Sequence, residues 1–138
     1  MSTLPRDLER LRTLLRGGTC CSVALVQMGL EHRGEENPLL LQAVSGLCGG
    51  VQGGLACGAL TGAACMLNVL DPERANAVMV PELTEWFTDT MGRAFGGPNC
   101  DDIVHGDPLQ KRTRCPGLVE ETYLKAREIL QAHGYDFD

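Results

Sequence analysis

The sequence predicts an all-α fold, a compact bundle of about five to six helices around a glycine-rich loop. Apolar residues recur in several segments about every three to four positions, which is the period of a helix. Capping residues, prolines and glycines fall at the ends of these segments. No segment has the apolar–polar alternation that is typical of a β-strand. The length of 138 residues fits one domain, which we place at residues 1–138.

Three helices are predicted in the N-terminal part of the chain. The first has leucines at helical spacing, Pro5 near its start and Gly17-Gly18 as its stop. A second apolar run at residues 21–30 has a broad apolar face, which predicts burial. Asn37-Pro38 pairs a capping residue with a first-turn proline, so a third helix begins there and ends near Gly46. The leucines of the first helix are Leu4, Leu8, Leu11, Leu14 and Leu15.

The stretch from Gly46 to Gly58 is too rich in glycine to remain helical. Each glycine in a helix interior costs about 0.5–1 kcal/mol relative to alanine. We therefore predict a loop that needs unusual backbone angles or a close approach to another group. Small residues dominate the helix that follows, and Gly58 and Gly62 lie one turn apart on it. Another backbone is expected to pack close to this helix.

Further helical segments complete the chain. Asp71-Pro72-Glu73 combines a cap with a first-turn proline and begins a helix that Pro81 is expected to break or kink. The next helix runs from residue 83 to the glycines at 96–97. The polar stretch 98–114 is expected to hold only a short helical turn, and Cys115-Pro116 to open the last helix.

Composition and charge exclude several classes of function. The net charge of -6 leaves no basic surface for binding nucleic acid. The residues up to Arg16 contain no long apolar stretch, which argues against a signal peptide. Residues 38–70 carry no charge, but polar residues and glycines interrupt them, so we expect a buried core segment and no membrane insertion. These features predict a cytoplasmic protein.

Seven cysteines in a chain without an export signal indicate metal binding or redox chemistry, since structural disulfides are rare in a reducing cytoplasm. Four of them stand at or just before a predicted helix N-terminus. The positive end of the helix dipole favours the thiolate, which binds metals and attacks disulfides. The alternative is that cysteine fills these helix starts only as a small apolar residue. The four are Cys21, Cys57, Cys100 and Cys115.

Spacing alone identifies no known site. The absence of Cys-x-x-Cys removes support for zinc ribbons, thioredoxin-like motifs and bacterial ferredoxin clusters. The run 49–54 has a P-loop-like spacing, but Leu55 follows it where a P-loop has lysine, so nucleotide binding is not favoured. We predict instead that the loop glycines let backbone amides approach a compact cofactor, with a plain flexible connection as the alternative. The glycines given this role are Gly49, Gly50, Gly53, Gly54 and Gly58.

Other candidate side chains carry weaker signals. His105 follows Cys100 closely and is a candidate extra ligand or proton carrier, although an exposed loop histidine is the simpler interpretation. Asp101-Asp102 favours the start of a short helix. The adjacent pair Cys20-Cys21 is able to oxidise or to bind a soft metal. The cysteines without a helix-start position, which we interpret as packing residues, are Cys20, Cys48 and Cys65.

Four elements in order carry a resemblance to a known family. The central one is Cys57-Gly58-Ala59-Leu60-Thr61-Gly62, and Cys21 followed by Ser22-Val23-Ala24 precedes it. Phe95-Gly96-Gly97-Pro98-Asn99-Cys100 and a helix-opening Cys115 follow it. Over most of the chain, this series resembles the bacterial and archaeal family named for its C_GCAxxG_C_C pattern.

The resemblance implies redox activity without naming a substrate. In this family the activity is inferred from the cysteines and from genomic association with oxidoreductases and transporters. Two departures of this sequence from the pattern matter. Cys20 makes the register of the early cysteine ambiguous, and Cys48 and Cys65 add thiols beyond the four.

Three functions are compatible with these observations. The preferred one is a metal centre held by the four helix-start cysteines, in first place an iron–sulfur cluster, which serves electron transfer or redox sensing with a redox partner protein. The second is a thiol–disulfide oxidoreductase or peroxide-reactive enzyme with an activated cysteine and a resolving one. The third is a non-catalytic zinc-binding interaction module, whose small-residue helix faces would also support a homodimer.

Overall fold

The computed structural model describes residues 6–105 and 107–136, and it confirms the all-α prediction. These residues form seven α-helices, and their only β-type pairing is an isolated bridge between Ala56 and Asn99. Leu4 and Pro5, assigned to the first helix from the sequence, lie outside the described residues. The helices are α1 Arg6–Arg16, α2 Cys21–Arg33, α3 Pro38–Val44, α4 Gly58–Leu70, α5 Val80–Phe95, α6 Cys100–Val104 and α7 Pro108–Ala132.

Helices α2 and α4 form the central pair of the bundle, and small residues let them pack closely. An added Cβ at Gly62 of α4 would come within 2.6 Å of the Ser22 Cα. Gly29 of α2 lies against Met66 in the same way. The predicted close approach to this helix is confirmed, and most of its apolar side chains are buried. None of the helices in the described part of the chain is long and apolar enough to span a membrane.

Helix α1 packs against α2 and is held to α7 by polar contacts, among them those of Asp7. Its inward leucines, Leu8 and Leu11, are buried. Asp7 in its first turn accepts hydrogen bonds from the Tyr123 hydroxyl and, at 3.4 Å, from the Arg127 guanidinium. Tyr123 and Arg127 both belong to α7 and are buried, so these contacts fix the first helix to the last.

Pro81 begins a helix and does not break one. Asp71 accepts a hydrogen bond from the Arg74 N–H at 3.1 Å, and the turn so formed leads into a π-helical turn at Ala75–Met79. Helix α5 follows directly, with Pro81 in its first turn, where the missing N–H leaves no bond unmade. The predicted helix after Asp71 is therefore present only as a turn and a π-helical segment, and the predicted break or kink at Pro81 is wrong.

Helix α7 is longer than predicted, and this changes the setting of Cys115. Asp107 caps the helix by accepting a hydrogen bond from the Leu109 N–H at 2.9 Å. Pro116 lies inside the helix and not in its first turn. Cys115 is therefore within a 25-residue helix, and the prediction that it opens the helix and benefits from the helix dipole is wrong.

Candidate functional site

Cys21 and Cys115 meet where the start of α2 packs against α7. Cys21 is the first residue of α2, and its thiol is hydrogen-bonded to the thiol of Cys115. Both side chains are half-buried. This hydrogen bond is the largest cause that raises the pKa of Cys21 far above its usual range, followed by burial and by the negative charges that Cys115 and Cys57 carry once they are ionised. Cys21 therefore keeps its proton and is placed to donate it to the Cys115 sulfur.

Cys57 is the least exposed of the four cysteines predicted to form the site. It precedes α4 and is only 4% exposed. Burial raises its pKa to about 11, and the charges of Cys115 and Cys100 act in the same direction. The backbone N–H groups of Ala59 and Leu60 at the start of α4 act in the opposite direction. Burial is the largest cause, so Cys57 is a neutral thiol at pH 7.

Cys100, the first residue of α6, is held by the glycine-rich loop. Its N–H donates to the Leu55 carbonyl at 2.6 Å, next to the bridge between residues 56 and 99. The Leu55 N–H in turn donates to the Gly50 carbonyl at 2.9 Å. Gly50 packs so closely that an added Cβ would lie 2.8 Å from the Cys100 Cβ. The loop thus positions Cys100 through backbone hydrogen bonds and through the absence of a side chain.

The loop has the unusual backbone angles that the sequence predicts. Gly49, Gly50 and Gly54 have positive φ, and an added Cβ at Gly54 would meet the Asp101 carboxylate. Gly58 lies against Cys21, whose Cβ would be 3.3 Å from an added Cβ. Gly53 has no such neighbour within 4 Å. Three of the five predicted glycines therefore contact site or neighbouring residues, while their role in holding a cofactor stays a prediction.

The structure brings Cys21, Cys57 and Cys115 into electrostatic reach of one another, and Cys100 into reach of Cys57. Cys57 interacts with Cys115 and with Cys100, and Cys21 interacts with Cys115 and with Cys57. Within residues 6–105 and 107–136, however, no three His, Cys, Asp or Glu side chains are arranged to hold a metal ion. The thiols are gathered without forming a ligand set, so their assignment to a metal stays a prediction.

Cys20 and Cys48 form a disulfide, which sequence reasoning missed by interpreting both as packing residues. The bond joins the residue that caps α2 to the first part of the glycine-rich loop, with the two Cα atoms 6.2 Å apart. Cys20 is thus oxidised with a distant cysteine and not with its neighbour Cys21. The Ser22 hydroxyl donates to the Val44 carbonyl at 3.0 Å and lies 3.2 Å from the Cys48 sulfur.

The disulfide and the Cys21–Cys115 pair open onto one cleft. This cleft has a volume of about 750 Å³ and runs between the end of α1, the start of α2 and the middle of α7. Its apolar wall includes Leu15 and Val119. An incoming thiol or disulfide therefore reaches both pairs from the same side. The cysteines that line the cleft are Cys20, Cys21, Cys48 and Cys115.

The two remaining sequence candidates lie away from this cleft. Cys65 is half-buried in α4 and packs against the small apolar cluster of α2 and α3, as expected of a packing residue. Burial raises its pKa. His105 is exposed in the left-handed conformation that ends α6, as the simpler interpretation of this residue predicts.

Raising the pH above 9 should destabilise the fold through Cys57. Its pKa rises from 9.0 to about 11 on folding, so the folded protein holds the thiol proton more tightly than the unfolded chain does. The resulting stabilisation is complete below pH 9 and is lost as the pH rises through 11; two pKa units correspond to about 3 kcal/mol. Urea unfolding of fully reduced protein between pH 9 and pH 11 measures this loss of stability. The Cys57→Ala variant should lose less stability over the same range. Equal losses in the two proteins would contradict the assignment.

The sequence profile of a family described as "Putative redox-active protein (C_GCAxxG_C_C)" matches residues 19–129. No curated protein and no solved structure is significantly similar to the chain. The matched region contains all seven cysteines and extends from the residue before Cys20 into the last part of α7. It therefore includes both the cleft cysteines and the helices that position them. The chain belongs to the C_GCAxxG_C_C family of redox-active proteins.

Proposed function

We propose that Cys21 and Cys115 act as a redox-active dithiol that reduces a disulfide in a partner protein. One observation carries this proposal: the two thiols are hydrogen-bonded to each other and face an open cleft. Two thiols in hydrogen-bond contact are close enough to be candidates for a disulfide. The partner would approach over the apolar wall of the cleft, and a protein with an accessible cysteine disulfide is the expected substrate class.

The hydrogen bond assigns different roles to the two cysteines. Cys21 holds its proton, so a thiolate at Cys115 receives a hydrogen bond and is the attacking group. It attacks one sulfur of the partner disulfide, and the other partner sulfur leaves with the bonding electrons and takes up a proton. Cys21 then gives up its proton and attacks the Cys115 sulfur, which releases the second partner thiol. Two electrons pass to the partner, which takes one proton from Cys21 and one from water, and a Cys21–Cys115 disulfide remains.

A four-thiolate metal or iron–sulfur centre is the second candidate. Its support is the set of interactions that link Cys57 to both Cys115 and Cys100, and Cys21 to Cys115 and Cys57. Thiolates at these positions would hold zinc or an iron–sulfur cluster. An iron–sulfur cluster would supply one-electron redox chemistry. The described cysteines are not arranged as a ligand set, which is why the dithiol is the better-supported function.

Disulfide mapping after mild oxidation tests the dithiol. Protein prepared without oxygen and fully reduced is treated with oxidised glutathione, quenched with acid and alkylated, and its peptides are then mapped by mass spectrometry. We expect a Cys21–Cys115 linkage in the wild-type protein and in the matched control Cys65→Ser. Cys115→Ser should lose this linkage and the reduction of a model protein disulfide.

Metal and sulfide analysis of the same anaerobic preparation separates the two candidates. Colourless protein without stoichiometric iron, zinc or acid-labile sulfide supports the dithiol. A brown protein whose iron and sulfide are lost in Cys57→Ser and Cys100→Ser, but not in Cys65→Ser, overturns it in favour of the metal centre.

A further inference from the structure

The Cys20–Cys48 disulfide shares its cleft with the proposed dithiol, although neither cysteine belongs to the four-cysteine pattern of the family. Cys20 directly precedes Cys21, and Cys48 lines the cleft together with Cys115. We propose that Cys20 and Cys48 form a second redox pair, which exchanges its disulfide with Cys21 and Cys115. This inference rests on the proposed dithiol function. In it, the Cys20–Cys48 disulfide accepts two electrons from the dithiol beside it.

The exchange needs no outside oxidant. The Cys115 thiolate attacks the Cys48 sulfur, so that the Cys20–Cys48 bond breaks and Cys20 leaves as a thiolate. Cys21 then attacks the Cys115 sulfur, and the Cys48 sulfur leaves in turn. The Cys21 proton passes to one of the two released sulfurs, and the other takes a proton from water in place of the one that Cys115 lost when it ionised. One disulfide and two thiols are present before and after, and two electrons move from the dithiol to the second pair.

The local structure selects this order of attack. Cys20 caps α2, so a thiolate that leaves there faces the free N–H groups of the first helical turn. A more stable thiolate leaves faster, which favours attack on Cys48 over attack on Cys20. The Ser22 hydroxyl lies 3.2 Å from the Cys48 sulfur and would donate to it when Cys48 leaves in the second step, giving up its hydrogen bond to the Val44 carbonyl.

Alkylation of protein with a single disulfide tests the exchange. Protein that mapping of an acid-quenched sample shows to hold only the Cys20–Cys48 disulfide is freed of small thiols under anaerobic conditions and incubated with iodoacetamide. Iodoacetamide alkylates Cys20 and Cys48 once the exchange has released them as thiols, so the exchange cannot reverse. We expect molecules that have lost the Cys20–Cys48 disulfide, carry both of these cysteines alkylated and contain a Cys21–Cys115 disulfide. Cys21→Ala should instead accumulate the Cys48–Cys115 linkage, with Cys20 alkylated.

The double variant Cys20→Ser/Cys48→Ser separates this inference from the proposed function. If the double variant forms the Cys21–Cys115 disulfide with oxidised glutathione, while the wild-type protein keeps Cys20–Cys48 intact in every alkylated molecule, the exchange is wrong and the dithiol stands. If the double variant never forms Cys21–Cys115, both are wrong. If the alkylated wild-type protein contains Cys21–Cys115, and oxidised glutathione also forms this disulfide in the double variant, the exchange and the dithiol function are both supported.

Discussion

Replacing Gly62 with alanine should lower the free energy of unfolding by about 3 kcal/mol, at the upper end of the usual cost of overpacking. The added Cβ would lie 2.6 Å from the Ser22 Cα and 3.1 Å from the Ser22 carbonyl oxygen. Both are backbone atoms of α2, so no side-chain rotation relieves the contact, and α2 must move away from α4. Because Cys21 precedes Ser22, this movement should also weaken its pairing with Cys115.

Gly92→Ala is the matched control for that prediction. Gly92 lies inside α5, and an added Cβ there meets nothing within 4 Å. Alanine at this position should leave stability unchanged or raise it by about 0.5–1 kcal/mol, because glycine is a poor helix former. Urea unfolding of both variants measures the difference. If Gly62→Ala is as stable as Gly92→Ala, the close packing of α2 on α4 is not what stabilises the bundle.

The position of Gly62 illustrates which parts of the fold the sequence predicts. Its spacing from Gly58 indicates that some backbone approaches α4 closely, and the backbone of α2 at Ser22 does so. The partner α2 was not predictable, because spacing along one helix carries no information on which other helix packs against it. Periodicity and caps therefore predict helices one at a time, while their arrangement depends on contacts between distant residues.

The error at Cys115 has a similar cause. Proline is typical of a first helical turn, and Cys115-Pro116 therefore indicates a helix start. Asp107 provides a capped start eight residues before Cys115, and packing of α7 against α6 and α4 keeps the helix continuous through Pro116. Tertiary contacts here outweigh the local preference of one residue.

The cleft itself was beyond sequence reasoning for the same reason. Cys20 and Cys48 are separated by 28 positions, and no motif links them. The number of cysteines and the four family positions indicated redox chemistry, and in the structure Cys57 interacts with Cys100 and Cys115. The pairing of the remaining cysteines depends on the loop before α4, where Gly49 turns the chain through a left-handed conformation. The adjacent pair Cys20-Cys21 was the only available signal, and it suggested the wrong partner for Cys20.

Replacing Gly50 with alanine should displace Cys100 and destabilise the protein. Gly50 has φ +67, a conformation that costs a residue with a Cβ about 1–2 kcal/mol. The added Cβ would also lie 2.5 Å from the Leu55 nitrogen and 2.8 Å from the Cys100 Cβ. The hydrogen bonds that connect Gly50, Leu55 and Cys100 would then be lost together. We expect a loss of stability of about 3 kcal/mol from strain and overpacking combined.

Gly53→Ala in the same loop is the control, because an added Cβ at Gly53 meets nothing within 4 Å and its φ is not positive. The two variants change the same residue type at nearby positions, so they differ mainly in the contact with Leu55 and Cys100. Iodoacetamide should alkylate Cys100 faster in Gly50→Ala than in the wild-type protein, and at the wild-type rate in Gly53→Ala. A faster rate at Cys100 with unchanged rates at Cys65 would show that the effect is local. Equal rates at Cys100 in the two variants would mean that the loop does not position this cysteine, and that its glycines serve only as a flexible connection.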